Sequence, residues 1–371
     1  MRSNYWDIAK GLGAVFVLMG HTGMFLTAYV YIYHVPLFFF IAGYFFKDKY
    51  AETPFNYIGA KVKSLWVPAM KYALFFAVFH NLFYKLNFYA TTNIPDYIAP
   101  GQNIFASYGL TAQILAICNA VTLLGIEQLC GALWFIVPMF FDLILLCFMI
   151  NWWKCYEPLK KLPLPLYLAI TGGAVYYCGC ILIKNNVHIM YDFQIALTYY
   201  FPLLLGWYYH YFYDKISFNR GILSGAALLV MITVLIYDPV VIQIYNPVVI
   251  QGAFINDSAA MRLILIACGI AIHLGICHVM DKIALLQKTM AYIGRESLFI
   301  IATHFVAFKA VAYCFLVSQN LPMEYLGAFP CAGYPMHDSL WWIPYTVAGL
   351  VLPLACKKIF YCLIGKFTCK G

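Results

Sequence analysis

Charge is scarce in this chain. Of its 371 residues only 10% are charged, against 64% hydrophobic and 19% aromatic. Soluble domains carry about 25% charged residues and are about 45–50% apolar. That excludes an ordinary water-solvated fold and makes lipid the main solvent. Soluble-enzyme signatures are missing as well. There is no G-x-S-x-G, no phosphate-binding G-x-x-x-x-G-K-[ST] and no H-E-x-x-H, which excludes the hydrolase elbow, the nucleotide loop and the zincin helix in turn. Gly11-Leu-Gly13 opens an apolar run instead of following a strand, so it reads as helix-packing glycine and not as a dinucleotide fingerprint. No internal repeat and no low-complexity linker is present. No cleavable signal is expected either, because Asp7 and Lys10 precede an apolar run that continues as a first span. The 13 cysteines carry no metal-ligand spacing, and no metal is expected. Cys178-Gly-Cys180 reads as small packing residues, while Cys130 and Cys331, on outer loops, leave a disulfide open.

What the chain has is long apolar runs. A helix needs about 20 apolar residues to cross roughly 30 Å of hydrocarbon. Candidate spans fall at 8–27, 31–46, 62–83, 132–151, 164–183, 194–213, 221–237, 261–280, 297–317 and 340–356. The expected fold is therefore all-α and polytopic, about ten transmembrane helices in a single membrane-embedded domain over 1–371. Prolines interrupt the second, third and fourth spans at Pro36, Pro68 and Pro138. The longest connection, about 84 to 131, holds an apolar stretch at 111–125 that has a re-entrant reading. With the N-terminus in the cytoplasm, all but five of the 23 basic residues (Lys71, Lys85, Lys184, Arg262 and Lys309) fall on inner segments, Arg2, Lys215 and Lys370 among them. This satisfies the positive-inside rule with both termini cytoplasmic. It also accounts for the net charge of +8 without nucleic acid as a partner.

The polar residues within the apolar runs carry the chemistry. Such groups cost several kcal/mol in hydrocarbon unless they are paired or face a wet cavity. The stretch DIAKGLGAVFVLMGHTG, Asp7 to Gly23, keeps three. Asp7 and Lys10 are three apart and share a helix face at the cytoplasmic boundary. Asp7 and His21 are 14 residues apart, 21 − 7, which is about 21 Å along a helix, so they cannot form a dyad. His21 lies toward the outer side, where His34 on the next span reaches a similar depth. An imidazole is the natural proton carrier near neutral pH. A helix–helix hydrogen bond is the alternative for each, and His273, His304 and Lys309 read as packing or interface groups. Asp142, near the midplane of its span, needs a partner or a proton. Arg295-Glu296 reads as a helix start, with a capping role for the acid.

These residues resemble a known pattern. Arg2…Asp7-Ile-Ala-Lys10-Gly11…His21, followed by His34-Val-Pro36-Leu-Phe-Phe-Phe-Ile-Ala-Gly43, is similar to the membrane acyltransferase 3 family, nearest to its fucose 4-O-acetylase-like branch. Gly131-Ala-Leu-Trp134-Phe135 and Ile293-Gly294-Arg295-Glu296-Ser297-Leu298…His304 are similar to further landmarks of that family, in the same order. The resemblance implies a multi-pass protein of the cell membrane. It would transfer an acyl group, usually acetyl from acetyl-CoA, to a hydroxyl of a cell-envelope glycan or its precursor. His21 corresponds to the family's first-span histidine. Where the family carries an R-x-x-R-like run before a proline, this chain has Lys61-Val-Lys63-Ser-Leu-Trp-Val-Pro68. Lysines keep the charge but lose the bidentate fork that grips phosphate.

The expected roles follow. Lys10, Lys61, Lys63 and Arg295 receive the CoA phosphates, and Asp7 shapes the donor entrance. His21 is general base on the acceptor hydroxyl or carries the acyl group, with His34 assisting. Trp134, Asp142 and Glu296 are the candidate acceptor-binding residues. The rival reading is a secondary transporter or a flippase for a lipid-linked glycan precursor, which also has broken helices and buried ionisable groups. Against it, no counterpart of HVPLFFFIAGYFF occurs in the second half of the chain.

Overall fold

A computed structural model describes residues 4–213, 220–237, 259–336 and 338–368. Arg2, Lys215 and Lys370, assigned above to inner segments, lie outside the described residues. Among the described residues the fold is helical throughout, with no strand. This is what a chain in lipid requires, since only a helix satisfies its own backbone groups without water or a neighbouring strand. The helices are α1 (Asn4–Gly20), α2 (Thr27–Tyr44), α3 (Pro54–Lys61), α4 (Val67–Val78), α5 (His80–Lys85), α6 (Leu110–Thr122), α7 (Ile136–Cys155), α8 (Leu164–Lys184), α9 (Phe193–Tyr213), α10 (Arg220–Tyr237), α11 (Ala259–Met280), α12 (Ala284–Arg295), α13 (Ser297–Ser318) and α14 (Trp342–Thr368). Six helical segments of the described residues are long and apolar enough to cross a membrane: 27–44, 128–155, 164–184, 260–280, 297–318 and 342–363.

The described helices differ from the expected spans in three instructive places. The first run does not continue to residue 27. α1 stops at Gly20, Thr22 Oγ1 donates to the Met19 carbonyl at 2.7 Å, and Gly23 turns the chain at φ +67°, a region glycine enters without steric penalty. His21 therefore stands in the turn beyond the helix, not within it. The run at 62–83 is broken. Pro68 has no N–H to return to the preceding turn, and that turn widens into a π-helix over Val62–Trp66, with the Val67 N–H reaching the Val62 carbonyl. A second break at Phe79 separates α4 from α5. The stretch at 111–125 forms α6, whose 13 residues span about 20 Å, short of a full crossing.

The chain divides into two compact units, each discontinuous. The first comprises Met1–Thr27, Lys71–Leu133 and Lys288–Gly371; the second comprises Ala28–Met70 and Trp134–Gln287. In the first unit, α1 packs against α13 and α14, which pack against each other. The approach of α1 to α12 is backbone on backbone. A β-carbon at Gly11 would collide with the Met290 carbonyl oxygen, and one at Gly294 with the Asp7 carbonyl oxygen. Gly11 is thus a packing glycine, as its position at the start of an apolar run suggested. The second unit repeats the device between α2 and α9, where a β-carbon at Gly43 would meet the Leu203 carbonyl and one at Gly206 the Phe40 carbonyl. Around this seam α7 and α8 pack on α9, and α10 on α11.

Replacing Gly294 with alanine must push α12 away from α1. Overpacking of this kind costs about 1–3 kcal/mol, so G294A should lower the thermal midpoint of the detergent-purified protein. An unchanged melting curve would show that the close approach carries no such constraint.

Candidate functional site

The first unit gathers ionisable groups at both ends of α1. At its N-terminal end Asp7 is 2% exposed. Its Oδ1 lies 2.7 Å from Lys10 Nζ, and its Oδ2 lies 3.9 Å from Arg295 Nη1. The spacing of three brings Lys10 onto the Asp7 face, and the Gly11–Gly294 approach brings Arg295 there from the end of α12. A carboxylate in the first turn also meets the positive end of the helix dipole. Glu296 is the residue before α13 but makes no capping hydrogen bond with its side chain. Its carboxylate instead pairs with Lys357 of α14. The capping role expected from the sequence is therefore replaced by an ion pair. The reason is that α14 delivers an ammonium to a half-buried acid, which a charge partner satisfies better than a lone N–H.

At the other end His21 is half-buried in the turn after α1. Its ring stacks on that of His304 from α13, with centroids 5.3 Å apart and planes 22° from parallel. Phe305 meets it edge-on at 4.9 Å. The Cys331 thiol donates to the His21 carbonyl at 3.6 Å; burial pushes this thiol up from the usual cysteine range, so it is a donor and not a thiolate. His304 is fully buried. Its Nδ1 lies 2.9 Å from the Ile301 carbonyl oxygen, which only accepts, so Nδ1 carries the proton and Nε2 the lone pair. That Nε2 has no hydrogen-bond partner among the described residues. His304 read from sequence as a packing group; its placement against His21 depends on a pairing between distant helices that no spacing rule reports.

The roof of this end is knitted from two connections of the same unit. Lys309, five residues beyond His304 and 3% exposed, donates to the carbonyls of Leu326 and Ala328, both at 2.9 Å. Gln102 bonds the Phe329 backbone twice, accepting from its N–H at 2.8 Å and donating to its carbonyl at 2.7 Å. The Gly333 N–H donates to Ile98 O at 2.8 Å, and the Met336 N–H to Thr22 O at 3.2 Å. Farther along the 84–131 connection stands a constellation that sequence reading did not single out. His80 Nδ1 is 3.0 Å from Glu127 Oε2, and its Nε2 is 3.1 Å from the Ala106 carbonyl. Tyr89 and Tyr108 each donate a hydroxyl to the same carboxylate at 3.0 Å, and their rings sandwich the imidazole at 4.6 and 3.5 Å. Burial first, and the Glu127 carboxylate second, push the Tyr108 hydroxyl up to about 12, so it stays a donor. Cys130 and Cys331 are both free thiols.

The remaining sequence candidates belong to the second unit. His34 of α2 is buried, with Nδ1 2.8 Å from the Val30 carbonyl of its own helix and Tyr31 edge-on at 4.9 Å. Asp142 of α7 is buried, and its Oδ2 has no partner among the described residues. Trp134 is 37% exposed and lies edge-on to Tyr199 at 5.8 Å. Lys63 is exposed within the π-turn. Lys61 lies 5.2 Å from the Tyr57 ring, and burial lowers its ammonium from the usual lysine range. Among the described residues no group of three or more His, Cys, Asp and Glu side chains is placed to hold a metal.

A family profile described as an acyltransferase domain matches residues 3–358, both units together. The chain belongs to the acyltransferase 3 family. No curated protein and no solved structure matched. This membrane acyltransferase is a multi-pass protein. Its activity requires an acyl donor and an acceptor, and hence a group able to move a proton or hold an acyl chain between them.

The acyltransferase's Glu127 carboxylate, 7% exposed, holds three partners. E127Q should cost about 2–4 kcal/mol by leaving buried donors half-satisfied. The outcome is readable as a lower thermal midpoint together with faster proteolysis within 84–131. Wild-type protection of that segment in E127Q would rule the clasp out.

Proposed function

We propose that this chain is an integral-membrane O-acyltransferase of the fucose 4-O-acetylase-like branch. It moves an acyl group, acetyl in the simplest case, from acyl-CoA to a hydroxyl of a cell-envelope glycan or its precursor. The observation that carries the reading is the half-buried His21 imidazole, seated beside a second imidazole in a chain of this family. An imidazole fits the task because its neutral form takes a proton from a hydroxyl near neutral pH and its ring nitrogen attacks a thioester.

In this proposal the chain crosses the cell membrane about ten times with both termini cytoplasmic, as the distribution of basic residues supports. The donor is polyanionic and cytoplasmic, and the basic groups Lys10, Lys61, Lys63 and Arg295 receive its phosphates. Asp7 holds Lys10 and Arg295 in place at the end of α1. His34 orients the acceptor, for which Trp134 offers a half-exposed aromatic face suited to stacking on a sugar ring. Asp142 and Glu296 supply acceptor hydrogen bonds. Both units act as one acyltransferase domain, as the span of the family match supports.

H21A should insert and purify like the wild type but lose labelled acetyl transfer from acetyl-CoA by at least about 10²-fold. Envelope glycans from cells carrying it should lack the added acetyl mass. Retained transfer in H21A would sink the assignment. Transport of a glycan precursor that proceeds without acetyl-CoA would favour the secondary transporter or flippase instead.

A further inference from the structure

The fully buried His304 leaves one polar atom unexplained. Its Nδ1 proton is spent on the Ile301 carbonyl, and its Nε2 lone pair has no partner among the described residues. Burying a polar atom without a partner costs about 1–3 kcal/mol, and natural structures hold few such atoms. His21 does not relieve it. The two rings lie 22° from parallel with centroids 5.3 Å apart and share no hydrogen bond at that Nε2, whose lone pair lies in the plane of its own ring. A group that meets Nε2 does so within that plane, on a ring that neighbours His21. Phe305, with its ring centroid 4.0 Å from that of His304, and Phe308, edge-on at 5.3 Å, wall the imidazole in. The Ile301 bond holds the tautomer in which Nε2 is basic.

We propose that the two imidazoles divide the reaction: His21 carries the acyl group, and His304 Nε2 is the base that takes the proton of the acceptor hydroxyl. The inference rests on the acyl-CoA reading above. In the first half, a His21 ring nitrogen bonds to the thioester carbonyl carbon and the carbon–sulfur bond breaks. The proton shed by the imidazole leaves with the sulfur as CoA thiol. In the second half, the acceptor oxygen bonds to the same carbon while its proton passes to His304 Nε2. The carbon–nitrogen bond breaks, and the proton then replaces the acyl group on the His21 nitrogen, so both rings return to their starting state.

Asparagine is the informative substitution, because its amide N–H mimics Nδ1 and keeps the bond to the Ile301 carbonyl while removing Nε2. The full chain, purified in detergent, is mixed with labelled acetyl-CoA, with glycerol as a surrogate alcohol. The wild type should turn over. H304N should release one CoA per chain in a burst and keep the label on the protein, with steady-state release slowed about 10²–10⁴-fold; H21A should show no burst. Wild-type turnover in H304N overturns the proposal. So does a monodisperse H304N with neither burst nor turnover, because His304 would then position His21 and not act as base. The wild type supplies a measurement that does not depend on any variant folding. Incubated with labelled acetyl-CoA and no alcohol, it should hold the label on the protein and give it up when glycerol is added, and a wild type that acetylates glycerol without ever carrying label overturns the proposal. A wild-type chain that releases no CoA under any condition is a separate result, and it removes the acyl-CoA reading itself.

Discussion

The contact between the α1 backbone and the Gly294 turn fixes everything else at the site. A helix in lipid gains little from hydrophobic burial against another helix, because the acyl chains are as apolar as leucine. Close van der Waals approach and polar pairing must do that work. At Gly11 and Gly294 the absence of a side chain lets carbonyl and amide groups of two helices touch. Once α1 is seated there, its rigid length places one end at Arg295 and the other at His304. The polar pairing at both ends inherits its geometry from this glycine seam.

The two ends are electrostatically distinct. Asp7 lies in the first turn of α1, where the helix dipole favours an anion, and His21 lies just past the last turn, where it favours a cation. Asp7 is saturated by Lys10 and Arg295 and is suited to holding those cations in place. The far end is different in kind. There the polar groups of the roof pair with main-chain atoms, as Lys309 does with two carbonyls and Gln102 with Phe329, while His304 Nε2 has no hydrogen-bond partner among the described residues.

The His80–Glu127 clasp illustrates the same economy outside the spans. A long connection pays a large conformational entropy cost to hold one shape. One carboxylate that accepts from two tyrosines and faces an imidazole stacked between them supplies several charge-assisted bonds at one point. The segment carrying Ala106 and Tyr108 is thereby tied to α5 within the first unit.

The sequence by itself determined the solvent, the helical class and the family. Those follow from composition, run length and local motif, which are properties of neighbouring residues. It also determined the Asp7–Lys10 pair, because a spacing of three on a helix puts two side chains on one face. The break near Pro68 was legible as a break, but not as a π-turn. Only the tertiary structure decided that His21 stands beyond its helix, that Arg295 joins an acid 288 positions earlier (295 − 7), and that Glu296 turns to Lys357. His304 shows the reason most clearly. Periodicity says which face of a helix is buried, but not which distant ring meets it there, and a hydrogen bond left open is visible only when every neighbour is in place.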